Sequence, residues 1–165
     1  PKGEPNVMTI SWGGICCSKP PCVTISLRKA TYTYGNIMDR QAYTLSVPSE
    51  QYAKDADYFG MATGRKVNKF EKSGLTPKKS LLVDAPYVAE FPMVLECKVI
   101  HFYEIGLHTQ FVGEILDVKI DEDMLDDDGN PEMEKIRPFV YSPEYKRYHG
   151  IGGFIGNAFD MGKNR

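Results

Sequence analysis

Hydroxyl and cationic side chains are spaced along two stretches of this sequence in a pattern that suits a phosphate-bearing ligand. The set comprises Thr9, Ser11, Ser26, Arg28, Lys29 and Thr31. Alternate residues of a strand share one face, so the first four would line two strand faces with hydroxyl groups that lead to a cation. Thr31 can cap the helix that follows. A helix N-terminus with free N–H groups beside two cations is well suited to hold a phosphate.

The ligand chemistry that this pattern favours is a polyol chain that ends in a phosphate. FMN has this form, because it carries ribityl hydroxyls, one phosphate and a flat ring that needs an apolar wall and backbone donors. Alternation alone is not specific, however. The same residues are also consistent with a solvated strand face followed by a charged helix start.

These residues must be positioned by a strand that runs directly into a helix, and residues 22–36 are predicted to form that unit. Val23, Ile25 and Leu27 would lie on its buried face. Further strands are predicted at residues 6–12, 42–47, 81–83, 92–105, 111–120, 139–141 and 146–150. Helices are predicted at residues 31–40 and at 49–59, the second capped by Ser49, with a helical turn at 67–72.

The two longest predicted strands are joined at Gly106, which indicates a long antiparallel hairpin. The buried face of the first would carry Leu95, Cys97 and Val99, with Glu96 on the opposite face. The apolar face of the second would carry Val112, Leu116, Val118 and Ile120. Near the start of the chain, Gly13 and Gly14 are predicted to end the first strand and to allow another group to approach the backbone closely.

Composition predicts one globular domain over residues 1–165, with 42% hydrophobic and 25% charged residues. A formal net charge of −2 argues against a nucleic-acid partner. No apolar run is long enough to cross a membrane. The cysteines are Cys16, Cys17, Cys22 and Cys97. Their spacing matches neither a zinc site nor a disulfide framework, so we expect free thiols in a reducing cytoplasm, with a redox or interface role for the vicinal pair left open.

Other motifs are rejected on spacing. The glycines of the C-terminal tail do not fit a dinucleotide-binding fingerprint, and the acidic turn at residues 126–131 lacks the ligand spacing of a calcium loop. His101, His108 and His149 are isolated from one another in the sequence and are interpreted as packing or surface residues. We therefore predict no metal site.

Four blocks of the sequence, in this order, resemble the flavin reductase-like, FMN-binding split-barrel family, and especially its flavoredoxin branch. The blocks are NVMTISWGG, PPCVTISLRKATYTYGNI, GLHTQFVGEI and PFVYSPEYKRYHGIG. The resemblance covers nearly the whole chain. It implies a mainly β fold, a six-stranded antiparallel split β-barrel with Greek-key connections and short flanking helices. It also implies a homodimer that holds FMN non-covalently near the dimer interface.

The resemblance assigns site roles by matching position. Residues that would line the flavin ring and ribityl chain are Asn6, Thr9, Ser11 and Trp12. Residues that would bind the ribityl chain and phosphate are Ser26, Arg28, Lys29 and Thr31. His108 would lie near the exposed edge of the flavin, where a nicotinamide or a partner approaches. Tyr148 and His149 belong to a C-terminal block that would close over the site, from the same or the neighbouring subunit.

The implied function is an FMN-dependent oxidoreductase or electron-transfer flavoprotein that takes hydride from NADH or NADPH, or electrons from a redox protein. Two alternatives remain open: a module that binds or senses FMN without turnover, and a barrel that holds heme or another ligand. The sequence departs from the family in two ways. The earlier strand that family members carry before the first block is not in these 165 residues. A barrel without it would expose two edges, so we expect the protein to carry this strand ahead of Pro1. In addition, Leu45-Ser46-Val47 replaces a valine–asparagine pair of many flavin reductases, which favours the flavoredoxin branch.

Overall fold

A computed structural model describes residues 4–163 of the chain. In chain order the strands are β1 (Gly13–Ser18), β2 (Pro21–Leu27), β3 (Ala42–Val47), β4 (Pro77–Lys79), β5 (Pro86–Val88), β6 (Met93–Ile105), β7 (His108–Ile120), β8 (Phe139–Ser142) and β9 (Arg147–Gly150). The helices are α1 (Tyr32–Arg40), α2 (Ala53–Met61), α3 (Lys69–Ser73) and α4 (Met133–Ile136), with short 3-10 turns at Glu50–Tyr52 and Glu122–Met124. No helix within the described range is long and apolar enough to cross a membrane.

The main sheet is antiparallel and has five strands in the order β1-β2-β7-β6-β3. Two further ribbons, β4–β5 and β8–β9, have two strands each. The molecule is therefore mainly β with short helices, as predicted. Within residues 4–163 there is no sixth strand in this sheet, and the sheet is not closed into a barrel. The six-stranded split barrel stays a prediction.

The N-terminal segment differs from its prediction. Residues 6–12 form no strand, and strand pairing begins instead at Gly13, where a strand was predicted to end. Met8 and Ile10 pack against the main core, and the Trp12 carbonyl accepts from the N–H of Ser26, but none of these residues belongs to a strand of the described structure except Ser26 in β2. The close approach predicted at Gly13 is confirmed, because a Cβ there would lie 2.5 Å from the carbonyl oxygen of Thr24.

β2 carries the main hydrophobic core, as predicted. Val23, Ile25 and Leu27 are each no more than 4% exposed. On the neighbouring strand, Phe111 opposes Ile25 and Gly113 opposes Val23. The bulk of Phe111, which is fully buried, fills the space above β2 on this face.

The predicted apolar face of β7 is wrong. The β7 side chains that contact the core are Phe111 and Ile115, whereas Leu116 and Val118 are 41% and 45% exposed. Register explains the first part of the strand, because Phe111 is paired with the buried Ile25 and directly opposed residues point to the same face of a sheet. A shift of register against β6 leaves Leu116 without a partner and places Val118 opposite Leu95, so the four predicted residues do not share one face. The sequence of β7 alone carries apolar residues on both faces.

The long hairpin is confirmed. β6 and β7 contain 13 residues each and are joined by a turn at Gly106 and Leu107. Gly106 has a φ of +50°, a conformation that glycine adopts at low cost. The turn places Ile105 opposite His108, so His108 begins β7 at the tip of the hairpin.

Glu96 on β6 was predicted on a face away from the core, yet it is fully buried. Its carboxylate lies 3.1 Å from Lys119 Nζ and accepts a 2.9 Å hydrogen bond from the backbone N–H of Leu82. Residues 81–83 therefore form a connection between β4 and β5 that covers this carboxylate, and the strand predicted there is wrong.

The helix starts were predicted with mixed success. Thr31 is the N-cap of α1, as predicted, and its hydroxyl accepts from the N–H of Tyr34. Ser49 makes no side-chain capping bond, and a 3-10 turn precedes α2. The short α3 is capped by Asn68, whose Oδ1 accepts from two backbone N–H groups.

Candidate functional site

Six of the predicted site residues come together where β2 ends, α1 begins and the β6–β7 hairpin turns. We call this group the α1 corner. It comprises Trp12, Ser26, Arg28, Lys29, Thr31 and His108. The backbone N–H of Ser26 donates to the carbonyl of Trp12 at 2.8 Å, and the rings of Trp12 and His108 meet edge-on with centroids 6.3 Å apart. The exposed indole of Trp12 thus lies beside the C-terminal end of β2, and the cations Arg28 and Lys29 follow this strand directly.

The two cations of the α1 corner differ in their partners. Both Arg28 and Lys29 are exposed. No side chain among residues 4–163 forms an ion pair with Arg28, whereas Lys29 Nζ lies 2.5 Å from the Glu104 carboxylate on β6. The hydrogen bond from Lys29 to Glu104 raises the pKa of Lys29. An anion that enters the corner therefore meets the Arg28 guanidinium, which has no ion-pair partner in residues 4–163, and the Lys29 ammonium, whose exposed carboxylate partner the anion can displace.

Thr31 shapes the corner through its backbone contacts. Its hydroxyl donates to the carbonyl of Arg28 at 2.9 Å and accepts from the N–H of Tyr34 at 3.3 Å. The N–H of Thr31 also donates to the Arg28 carbonyl, at 3.0 Å. These bonds turn the chain sharply from β2 into α1 and fix the start of the helix beside Arg28. The arrangement fits a phosphate, since Arg28 and Lys29 come directly before a helix N-terminus.

Asn6 and Thr9 are engaged elsewhere. Asn6 Nδ2 donates to Thr33 Oγ1 at 2.7 Å, and Thr9 Oγ1 donates to the carbonyl of Ala56. These bonds attach the N-terminal segment to the first turn of α1 and to α2. A Cβ at Gly64 would overlap the Asn6 carboxamide, so Gly64 lets the 62–66 loop approach this segment. The structure therefore gives both residues a positioning role next to the corner.

A cavity of about 580 Å³ lies on the inner side of the N-terminal segment. Asn6, Thr9 and Tyr148 are the predicted site residues that border it, and much of its wall is apolar. The residues that would bind the phosphate do not border it: Ser26, Arg28, Lys29 and Thr31 lie outside its lining. The predicted set is thus divided between an exposed polar corner and a largely apolar cavity.

Tyr148 and His149 lie on the β8–β9 ribbon. The Tyr148 hydroxyl donates to the Asp57 carboxylate on α2 at 2.8 Å, and burial together with this bond raises the pKa of Tyr148 to about 12. The Tyr148 ring contacts Tyr141 with centroids 5.1 Å apart. His149 is exposed and pairs with Val140 in the ribbon, and Ser11 is exposed in the bend before β1. Closure of this block over the site stays a prediction.

The sequence patterns did not identify a buried cation, Lys69. Lys69 at the start of α3 is 3% exposed, and its Nζ donates to the carbonyls of Val7 at 2.8 Å and of Phe59 at 2.7 Å. Burial lowers the pKa of Lys69 to about 8. No local signal identifies this residue, because lysine is almost always exposed and its acceptors come from distant parts of the chain. We call this contact the Lys69 anchor.

Comparison with known proteins gives a consistent assignment. The family model described as "Flavin reductase like domain" matches residues 1–151. The structure is similar to that of the flavoredoxin of Desulfovibrio vulgaris (Miyazaki F), with a TM-score of 0.92 and 51% identity over 96% of this chain and 85% of that chain. It is also similar to the flavoredoxin of Methanosarcina acetivorans, with a TM-score of 0.92 and 28% identity over 99% of this chain and 86% of that one.

Among curated relatives, an uncharacterized protein of Archaeoglobus fulgidus is 36% identical over 115 residues, which are 70% of this chain. The matched part is 65% of the length of that relative, slightly less than two thirds.

Proposed function

Because the chain belongs to the flavin reductase-like domain family, we propose that it is an FMN-dependent oxidoreductase that binds FMN non-covalently at the α1 corner. The flavoredoxin neighbours support a flavin-related redox role. The observation that carries the proposed site is the exposed Arg28 guanidinium, which has no ion-pair partner among the described residues, at the start of α1. Charged groups that are exposed and unpaired beside a helix N-terminus suit a phosphate dianion.

Different residues of the α1 corner would contact different parts of FMN. Arg28 and Lys29 hold the phosphate, and Ser26 on the adjacent strand face bonds the ribityl hydroxyls. Trp12 supplies an apolar wall for the flavin, and His108 lies next to it at the exposed edge. A charge-assisted hydrogen bond to a phosphate contributes about 1.5–3 kcal/mol, so Arg28 should dominate retention.

Bound FMN would supply the hydride and electron transfer, and the protein contributes position and electrostatics. None of the corner residues is required as a chemical acid or base. The edge of the flavin beside His108 is where NADH, NADPH or a redox protein would approach. We therefore expect His108→Ala to retain FMN and to change the rate of reduction only.

The same proposal includes a homodimer, a sixth strand that closes the barrel and a cytoplasmic location. Support for the homodimer comes from apolar side chains beside the corner that are 44–64% exposed at the hairpin tip: Phe102, Tyr103, Ile105 and Leu107. Contiguous exposed apolar groups of this kind mark interaction surfaces. Light scattering should give a dimer for the parent, and Leu107→Asp should shift it towards the monomer. A monomeric parent at tens of micromolar would contradict the homodimer.

The site is tested by FMN titration with flavin fluorescence as the readout. Arg28→Ala should raise the Kd about 10- to 150-fold, whereas Lys54→Ala, which removes an exposed cation from α2, should change it less than about twofold. If Arg28→Ala binds FMN as tightly as the parent, the phosphate does not lie at the α1 corner.

The activity is tested by anaerobic stopped-flow reduction of the flavin-loaded protein with NADH, NADPH and a reduced ferredoxin. An oxidoreductase should be reduced by at least one donor faster than free FMN. A protein that binds FMN but is reduced by none of them above the rate of free flavin would be the binding or sensing module. Ferric complexes and free flavin, added to the reduced protein, then identify the acceptor class.

A further inference from the structure

The turn end of the β1–β2 hairpin brings together two cysteines that are separated in the sequence. Cys17 on β1 and Cys22 on β2 are direct register partners. Opposed residues of an antiparallel pair have Cα atoms about 4.5–5.5 Å apart, which lies within the roughly 4.4–6.8 Å that a disulfide spans. Cys16 has no register partner, because the register shifts between Ile15 and Cys17.

The two thiols differ in access. Cys17 is exposed on β1, an edge strand of the main sheet, whereas Cys22 is 3% exposed. Burial, followed by the proximity of Cys17 and Cys16, raises the pKa of the Cys22 thiol. The Cys17 thiol donates to the carbonyl of Lys19 at 3.5 Å, in the turn between the two strands. An external reagent therefore meets Cys17 first, and Cys22 is its register partner on the neighbouring strand.

We propose that Cys17 and Cys22 form a thiol–disulfide exchange site for small disulfides such as oxidised glutathione. The Cys17 thiolate attacks one sulfur of the small disulfide, forming a mixed disulfide and releasing one thiolate. Cys22, after loss of its proton, attacks the Cys17 sulfur, forms the intramolecular disulfide and releases the second thiolate. The two protons lost by the cysteines pass to the released thiolates. Two protein thiols are thereby oxidised and one small disulfide is reduced to two thiols.

This site is separate from the α1 corner. Cys22 and Arg28 lie at opposite ends of β2, six positions apart in the sequence, which corresponds to about 20 Å along an extended chain. The exchange requires no flavin, so it stands independently of the proposed function. Cys97, the remaining cysteine, is fully buried in the main core and serves as an internal reference.

The test is equilibration of the full chain with mixtures of reduced and oxidised glutathione, followed by acid quenching and alkylation under denaturing conditions. The parent has four cysteines and should lose two alkylatable thiols, with a mass decrease of two hydrogen atoms and no change in monomer size on a non-reducing gel. Cys16→Ser should behave as the parent. Cys17→Ser should form no intramolecular disulfide, and Cys22→Ser should stop at the glutathione adduct of Cys17.

Peptide mapping identifies the pair. Since Lys19 precedes a proline and resists trypsin, one peptide that ends at Arg28 carries Cys16, Cys17 and Cys22, and fragmentation after differential alkylation distinguishes them. The proposal is overturned if excess oxidised glutathione leaves four thiols, if oxidation gives only intermolecular disulfides, or if the linked pair is Cys16 and Cys17. If Cys22→Ser proves unstable, Cys22→Ala provides the same readout.

Discussion

Two lysines of this protein satisfy their ammonium groups in opposite ways. Lys29 in the α1 corner is exposed, and its partner is the exposed Glu104 carboxylate. Lys69 is buried, and its acceptors are two backbone carbonyls, with no carboxylate partner in the described part of the chain. Lys29 can exchange the Glu104 carboxylate for a phosphate, because the released carboxylate is already exposed and water can solvate it. Lys69 cannot exchange its partners in this way, because the carbonyls of Val7 and Phe59 would lose their donor and no other donor would replace it.

The two lysines therefore have different roles: Lys29 is available to bind a ligand, and Lys69 stabilises the fold. A cation that is already exposed loses little when it exchanges a carboxylate for a phosphate, since exposed ion pairs contribute little to stability. A buried cation that bonds carbonyls holds the N-terminal segment against α2, and this segment carries Asn6 and Thr9. We therefore expect changes at Lys69 to alter folding and changes at Lys29 to alter ligand affinity.

The largest effect should come from Lys69→Ala. The substitution leaves the carbonyls of Val7 and Phe59 without this donor and creates a space beside Phe70, so we expect the free energy of unfolding to fall by about 2–4 kcal/mol. Urea unfolding followed by tryptophan fluorescence and circular dichroism measures it. Lys66→Ala, which removes an exposed lysine from the loop before α3, is the control and should cost less than about 0.5 kcal/mol. If Lys69→Ala and Lys66→Ala lower the free energy of unfolding equally, the buried Lys69 stabilises the fold no more than an exposed lysine does.

The anchor also predicts a pH dependence. Burial lowers the pKa of Lys69 from 10.5 to about 8 in the folded protein. Between those two pH values the unfolded chain holds more protons than the folded one, so the free energy of unfolding rises with pH. Relative to Lys69→Ala, the parent should gain roughly 1–3 kcal/mol from pH 7.5 to pH 10. A constant difference would mean that the carbonyl bonds keep the ammonium charged throughout.

Local patterns predicted the corner better than the anchor. The alternation of Val23, Ile25 and Leu27 and the capping residue Thr31 act within a few residues, and both predictions are confirmed. The burial of Lys69 depends on Val7, which is 62 residues away. No local property of lysine reports such a contact.

Segment 6–12 shows a second limit of sequence patterns. Its residues alternate as in a strand, but a strand also needs a partner with free backbone groups. In the described structure its side chains pack on the core instead, and pairing begins at Gly13. Similarly, β7 has apolar residues on both faces, and its register with β2 and β6, which shifts at Leu116, decides which of them are buried.

The two helix caps provide a smaller test of the same comparison. Thr31 caps α1 in the corner, and Asn68 caps α3 directly before Lys69. Thr31→Ala and Asn68→Ala should each lower the free energy of unfolding by about 1 kcal/mol. Only Thr31→Ala should also weaken FMN binding, because it alters the turn that positions Arg28. Thr31→Ser keeps the hydroxyl and should therefore retain both the stability and the FMN affinity of the parent. If Asn68→Ala weakens FMN binding to the same degree, the corner and the anchor are not separable.

The smallest expected effect is a gain in affinity. Glu104→Gln removes the negative partner of Lys29 and leaves its ammonium available to the phosphate, so FMN should bind up to about fivefold more tightly at low ionic strength. Glu122→Gln, in the 3-10 turn after the far end of β7, controls for the change in net charge. The gain should disappear in about 1 M salt, since screening weakens exposed ion pairs most. A loss of affinity in Glu104→Gln would show that the carboxylate positions Lys29 for the ligand and does not compete with it.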